Sequence, residues 1–159
     1  MAADPLADIA PELIGRWEGT GRLWWNGPPD PPAFEEPVTA TIEPVLAGRW
    51  LRHEYETTID GVTHSGTALV GTVPPRAIWQ IAWIDSFHTS GSGAMLSEGP
   101  IVRDGPIDVL GSYPDGDGVA WGWRTELAPA GADALRIRHW NVTPDGQAAL
   151  AVEFAYTRA

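Results

Sequence analysis

Leu51-Arg52-His53-Glu54-Tyr55-Glu56-Thr57-Thr58-Ile59-Asp60-Gly61 is the stretch that decides the fold. Apolar and aromatic residues alternate with charged ones, so a strand here sends Leu51, His53, Tyr55, Thr57 and Ile59 to one face and Arg52, Glu54 and Glu56 to the other. Asp60-Gly61 then supplies a tight turn. The same grammar recurs outward in both directions. Trp17, Gly19, Gly21, Leu23 and Trp25 oppose Arg16, Glu18, Thr20 and Arg22. Trp79, Ile81, Trp83, Asp85 and Phe87 share a face, against the less distinct set Ile78, Gln80, Ala82 and Ile84. Val119, Trp121, Trp123, Thr125 and Leu127 oppose Arg124 and Glu126, and Leu135, Ile137, His139 and Asn141 oppose Arg136 and Arg138. Leu150, Val152, Phe154, Tyr156 and Arg158 oppose Glu153 and Thr157. Val62 to Val70 does not resolve into faces, and His64 stays unassigned.

Turn chemistry separates these runs: Asn26-Gly27-Pro28-Pro29, Val73-Pro74-Pro75, Asp104-Gly105-Pro106, Pro114-Asp115-Gly116, Pro129-Ala130-Gly131 and Pro144-Asp145-Gly146. No helix-sized gap lies between strands, which excludes a parallel α/β sheet and predicts an antiparallel sandwich or barrel. Only Asp4 to Leu13 reads as helix, with Leu6, Ile9 and Leu13 on one stripe. The Pro-rich stretch Pro28 to Pro37 is expected as the one long loop. With 159 residues the chain is one all-β domain, residues 1–159, with a short helical segment over 1–13.

Composition narrows the function. The absence of cysteine excludes disulfides, thiolate metal sites and a cysteine nucleophile. A net charge of −11 disfavours nucleic acid and anionic membranes as partners. Met1 to Leu13 has neither the basic head nor the apolar run of a secretory signal, and no run approaches the roughly 18 residues that span a bilayer. The expectation is a cytoplasmic protein; self-association as a homodimer is compatible with it. Nine tryptophans in so short a chain suit either a core or the walls of a pocket for a flat ligand.

Gly15-Arg16-Trp17 opens the first strand after a helix, and Arg158 ends the last strand on the inward face. This is similar to the calycin (lipocalin-like) signature, in which an early tryptophan lies beneath a basic residue from the final strand and the barrel closes there. More narrowly, Leu13-Ile14-Gly15-Arg16-Trp17-Glu18-Gly19, Leu46-Ala47-Gly48-Arg49-Trp50-Leu51, Trp83-Ile84-Asp85-Ser86 and Phe154-Ala155-Tyr156-Thr157-Arg158 resemble the bacterial domain of unknown function 1579 family over nearly the full length. The resemblance implies a closed or nearly closed antiparallel calycin-like barrel and carries over no catalytic residues.

In such a barrel the inward polar groups His53, Tyr55, Thr57, Asp85, Thr125, His139, Asn141 and Tyr156 must pair, hold water or meet a ligand. The principal reading is a binding module for a small apolar or aromatic molecule, with Tyr55, Trp83, Trp123 and Asn141 as ligand contacts. The alternative is acid–base chemistry on a small organic molecule, such as isomerisation, cyclisation or hydrolysis. In it Asp85 orients His53 or His139. A third reading is a full core with an active outer surface. Haem ligation by His139, as in the similar-looking nitrobindin barrels, ranks lower because their ligand lies nearer the C-terminus. No cofactor is expected. Nor is a metal, since His53, His64, His88 and His139 show no ligand spacing. Asp85-Ser86-Phe87-His88 lacks a G-x-S-x-G elbow, and Thr89-Ser90-Gly91-Ser92-Gly93 reads as a rim loop with His88 near the opening.

Overall fold

Asp4 caps the first element by accepting the Leu6 amide at 3.1 Å, with Pro5 at the first helical position, where its missing N–H costs nothing. The resulting helix α1, Pro5–Leu13, buries Leu6 and Leu13 completely. A computed structural model describes residues 4–159; Met1, Ala2 and Ala3, at the head of the segment expected as helix, lie outside the described residues. After α1 come ten strands: β1 (Gly15–Leu23), β2 (Phe34–Val45), β3 (Trp50–Ile59), β4 (Val62–Val73), β5 (Ile78–Asp85), β6 (Met95–Pro100), β7 (Ile107–Pro114), β8 (Ala120–Pro129), β9 (Ala134–Val142) and β10 (Ala148–Arg158). Each pairs antiparallel with the next, and β10 returns to β1, so the sheet closes into a barrel. A closed sheet has no free edge, and period-two alternation along each strand then divides lumen from solvent.

α1 plugs one end. The Trp17 indole N–H donates to the Leu13 carbonyl at 2.9 Å, and the Arg158 guanidinium lies 4.3 Å above the Trp17 ring. The same guanidinium donates to the carbonyls of Ile14 at 2.7 Å and Glu12 at 3.3 Å. Two side chains thus satisfy carbonyls that the end of α1 leaves without helical partners. Gly15 is required between them: its φ is +151°, and a β-carbon there would sit 2.4 Å from Arg158 Nη1. Trp17 and Arg158 are opposite one another in the β1–β10 register, as the alternation of both strands predicts.

The inward faces of β3 and β9 match their reading. Leu51, His53, Tyr55, Thr57 and Ile59 are buried, as are Leu135, Ile137 and His139. Four expectations need correction. Trp25 is 65% exposed, because β1 ends at Leu23 and the chain leaves the sheet before it. Its neighbour Trp24 turns in instead and donates its indole N–H to the Asp30 carbonyl. Val119 is exposed for a similar reason, lying in the turn ahead of β8. Leu150 is only half-buried, because the β9–β10 register shifts between Leu150 and Val152 and Ala151 takes an inward place. Finally, the Pro-rich loop ends early: Phe34 to Pro37 already belong to β2, where Val38, Ala40 and Ile42 alternate inward despite Pro37 and Pro44.

Trp17→Ala should lower unfolding stability by about 3–5 kcal/mol, since it empties a fully buried indole site. Arg158→Ala should cost about 1–2 kcal/mol through the lost cation–π contact, with the orphaned carbonyls of α1 adding to it. Denaturant unfolding of both variants checks this, and an Arg158→Ala loss within error of zero would remove the guanidinium from the account.

Candidate functional site

The end of the barrel opposite α1 holds the chemistry. Tyr55, inward on β3, packs its ring against the bare backbone of Gly66 on β4, where a β-carbon would lie 2.4 Å from the phenol oxygen. The phenol accepts the Trp83 indole N–H at 3.1 Å and donates to Asp85 Oδ2 at 3.3 Å. Asp85 ends β5, and the chain immediately folds back on it. The Thr89 amide donates to Asp85 Oδ1 at 2.7 Å, while the Asp85 amide donates to Thr89 Oγ1 at 2.7 Å. This closed turn of Asp85 to Thr89 returns His88 over the lumen, with its Nδ1 2.8 Å from Asp85 Oδ2. An ionised carboxylate has no proton to give, so Nδ1 carries the hydrogen. The Asp85 side chain is 4% exposed and that of His88 22%.

Aromatic rings surround this pair. The His88 ring leans across Trp83 and Trp123, with centroids 5.6 and 5.2 Å away, and the two indoles stack 5.7 Å apart at 13°. Below His88 lies a cavity of about 30 Å³, whose lining includes Leu23, Phe34, Tyr55, Asp85, Phe87 and Phe154. Burial works to raise the Asp85 pKa, but the hydrogen bonds and charge of His88 and the amide of Thr89 outweigh it and hold the carboxyl below its ordinary range. Burial, seconded by the Asp85 charge, pushes the Tyr55 phenol well above its usual value, so it stays a donor.

A second layer lies deeper. His139 stacks on Trp83 and Trp123, each with its centroid 5.4 Å away, and its Nδ1 is 2.9 Å from Thr125 Oγ1. His53 stacks on Tyr55 at 5.2 Å and meets the Tyr156 hydroxyl at 3.4 Å. Between them is a cavity of about 20 Å³ bordered by Ser97, Thr125 and both histidines, enough for about one water and too small for a haem on His139. Burial holds the His53 pKa down to about 4. Burial, then the charges of His88 and His53 against a weaker pull from Asp85, holds His139 down to about 3.

Of the residues singled out in the sequence, Tyr55, Trp83, Asp85 and Trp123 come together, with His53 and His139 in the adjoining layer. The pairing of Asp85 with His53 or His139 is not formed; Asp85 bonds to His88 instead. Asn141 is opposite Trp123 in the β8–β9 register but near the end of its strand, where it accepts the Tyr113 hydroxyl at 2.6 Å, and it borders neither lumen cavity. His64 contacts Ser86 Oγ at the mouth. Sequence reasoning placed His88 near the opening and Thr89 in the rim loop, but missed the bonds of both to Asp85. Their signal was an aspartate at the end of an inward face followed by a hydroxyl residue four positions on, the pattern of a turn closed by its own side chains. Among the described residues, no group of three His, Asp or Glu side chains lies close enough to hold a metal ion, and no helix is long and apolar enough to cross a membrane.

The family model described as "Protein of unknown function (DUF1579)" matches residues 9–158. The chain belongs to this family. Its match begins within α1 and ends at Arg158, so it takes in both partners of the contact at the plugged end. No curated protein matches the chain. Among solved structures, the crystal structure of Rv2717c from M. tuberculosis is similar, with a TM-score of 0.63 and 18% identity, covering 100% of this chain and 99% of that one. At that identity the likeness speaks for the fold alone.

The neutral histidines set a pH dependence. An unfolded histidine takes up its proton near 6.5, whereas His53 and His139 stay neutral in the barrel down to about 4 and 3. Between those values the unfolded chain binds more protons. The stability due to the neutral rings is therefore complete above pH 6.5 and falls as the pH drops. Replacing either His53 or His139 with Phe should flatten the loss between pH 7 and 4 by about 2–4 kcal/mol. Unfolding curves at pH 7, 5.5 and 4 test it; parallel losses in wild type and variants would contradict neutral burial.

Proposed function

We propose that the barrel binds a small, flat, largely apolar molecule in the chamber beneath His88, with Asp85 and Tyr55 as the polar anchor. One observation supports this above the others: a carboxylate is enclosed by aromatic rings at the mouth of the lumen and covered by a half-buried side chain. Enclosing a charge costs several kcal/mol, and a barrel that needs only to fold can fill this space with aliphatic side chains. A ligand in the chamber gains apolar burial against Phe34, Phe87 and Phe154, and against Trp83 and Trp123 where it takes the place of the His88 ring, at about 25 cal/mol per Å², and direction from the anchor. In this reading the His88 side chain, carried on the turn and not on a strand, rotates aside to admit the ligand.

The His88–Asp85 pair also supports a second reading, acid–base chemistry on the bound molecule. With Nδ1–H held by the carboxylate, Nε2 is free to accept a proton. The two readings separate on turnover. In the binding reading a panel of mono- and bicyclic heteroaromatics includes members that quench tryptophan fluorescence saturably and raise the melting temperature, and none is consumed. Asp85→Asn should weaken such a complex by about 10–100-fold, the loss of a charge-assisted hydrogen bond. If no panel member quenches or stabilises the protein, and native mass spectrometry of protein from its own host finds no bound mass, the binding reading fails.

A further inference from the structure

Resting on that binding reading, we propose that the chamber selects flat cations, such as an aromatic amidine or a protonated heteroaromatic amine, and that His88 holds the seat such a cation would take. The side chain in that seat is itself a planar nitrogen heterocycle. It points an N–H at Asp85 Oδ2 from 2.8 Å and lays its ring against two indoles, whose faces attract positive charge.

Charge accounting leads to the same class. All ten Lys-plus-Arg residues of the chain are arginines, and those near enough to bridge acids do so elsewhere. Arg76 pairs with Glu98, Arg124 with Asp108 and Arg138 with Glu126. Arg22, on the rim of the chamber, is held by Glu35 at 2.6 Å and Glu153 at 3.2 Å. Among the described residues, the only ion-pair partner of Asp85 is His88. With His88 aside, no arginine pairs with the carboxylate, and an incoming cation balances its charge.

Donors point the same way. The Thr89 amide, the Tyr55 hydroxyl and the His88 Nδ1–H all go to Asp85, and the Trp83 N–H goes to Tyr55. An anion in the His88 seat would face a carboxylate with these donors already spent. The other histidine at the mouth, His64, is engaged with Ser86 Oγ. The net charge of −11 draws cations toward the molecule and repels anions before contact. The depressed Asp85 pKa fits this picture, since a protonated carboxyl would offer no charge.

Three probes of nearly one shape test the proposal on the full chain: benzamidine, benzamide and benzoate, followed by tryptophan fluorescence. Benzamidine should quench saturably, benzamide should bind at least about tenfold more weakly, and benzoate should not bind. His88→Ala should tighten benzamidine about tenfold by removing the competitor, and Asp85→Asn should erase the preference over benzamide. Circular dichroism shows whether each variant folds; where one does not, the wild-type order of the three probes decides. Equal or tighter binding of benzamide or benzoate overturns the cation class while leaving the binding reading standing. A benzamidine preference that survives in folded Asp85→Asn removes Asp85 from the seat and overturns the proposal. Failure of all three probes with wild type and with folded His88→Ala overturns the cation class, and the binding reading is then decided by the heteroaromatic panel and native mass spectrometry.

Discussion

The Arg158 guanidinium resting on the Trp17 indole joins the first strand of the barrel to the last and both to α1. Everything else in the architecture follows from that closure. An open sheet of this length would expose two edges and give its inward residues no defined interior. Once β10 pairs with β1, each strand has a lumen face, and the side chains there must fill one enclosed space. The contact also explains the local sequence. Gly15 is bare because Arg158 crosses it, and the last carbonyls of α1 need no capping glycine, because Trp17 and Arg158 serve them. A plug at one end leaves the opposite end as the place where the lumen meets solvent.

At that opposite end the lumen carries more polarity than a filler requires. His53 and His139 are tolerated because they stay neutral, each stacked on aromatic rings and each with a hydroxyl neighbour. Asp85 is different, since it stays charged. Its charge is held by an O–H, an N–H of the backbone and an imidazole, and no arginine pairs with it. A carboxylate so placed is poised for a partner that brings its own positive charge and flat apolar faces. The same enclosure limits size, because the free volume beneath His88 is about that of a single water until the imidazole moves.

How much of this was legible in the sequence depended on where charge alternated with apolar residues. Leu51 to Thr57 and Leu135 to His139 could be assigned to faces because each inward residue had an Arg or Glu beside it that had to face water. Alternation failed wherever the strand was not continuous. Trp25 and Val119 lie beyond strand ends, and a bulge at Leu150 flips the phase, an event with no local compositional mark. β2 was obscured by its prolines, which read as a loop although Val38, Ala40 and Ile42 hold the strand in place. The site was half legible. Tyr55, Trp83, Asp85 and Trp123 follow from strand faces, but His88 arrives through a turn, and contacts made by turns do not show in period-two patterns. Asn141 kept its predicted strand yet lies near its end, away from both cavities, because alternation assigns a face and says nothing about depth along the barrel.

An ionised Asp85 within an aromatic enclosure underlies both the binding chamber and its preference for cations, and the titration of that carboxyl is the decisive measurement. The side-chain carboxyl ¹³C shift of Asp85, followed by NMR as the pH is lowered, should move only below the ordinary aspartate value of 3.8. A midpoint near or above neutrality would mean that burial keeps the group protonated. The seat beside His88 would then be that of a neutral hydrogen-bond donor, and the account of a cation-binding chamber would be wrong.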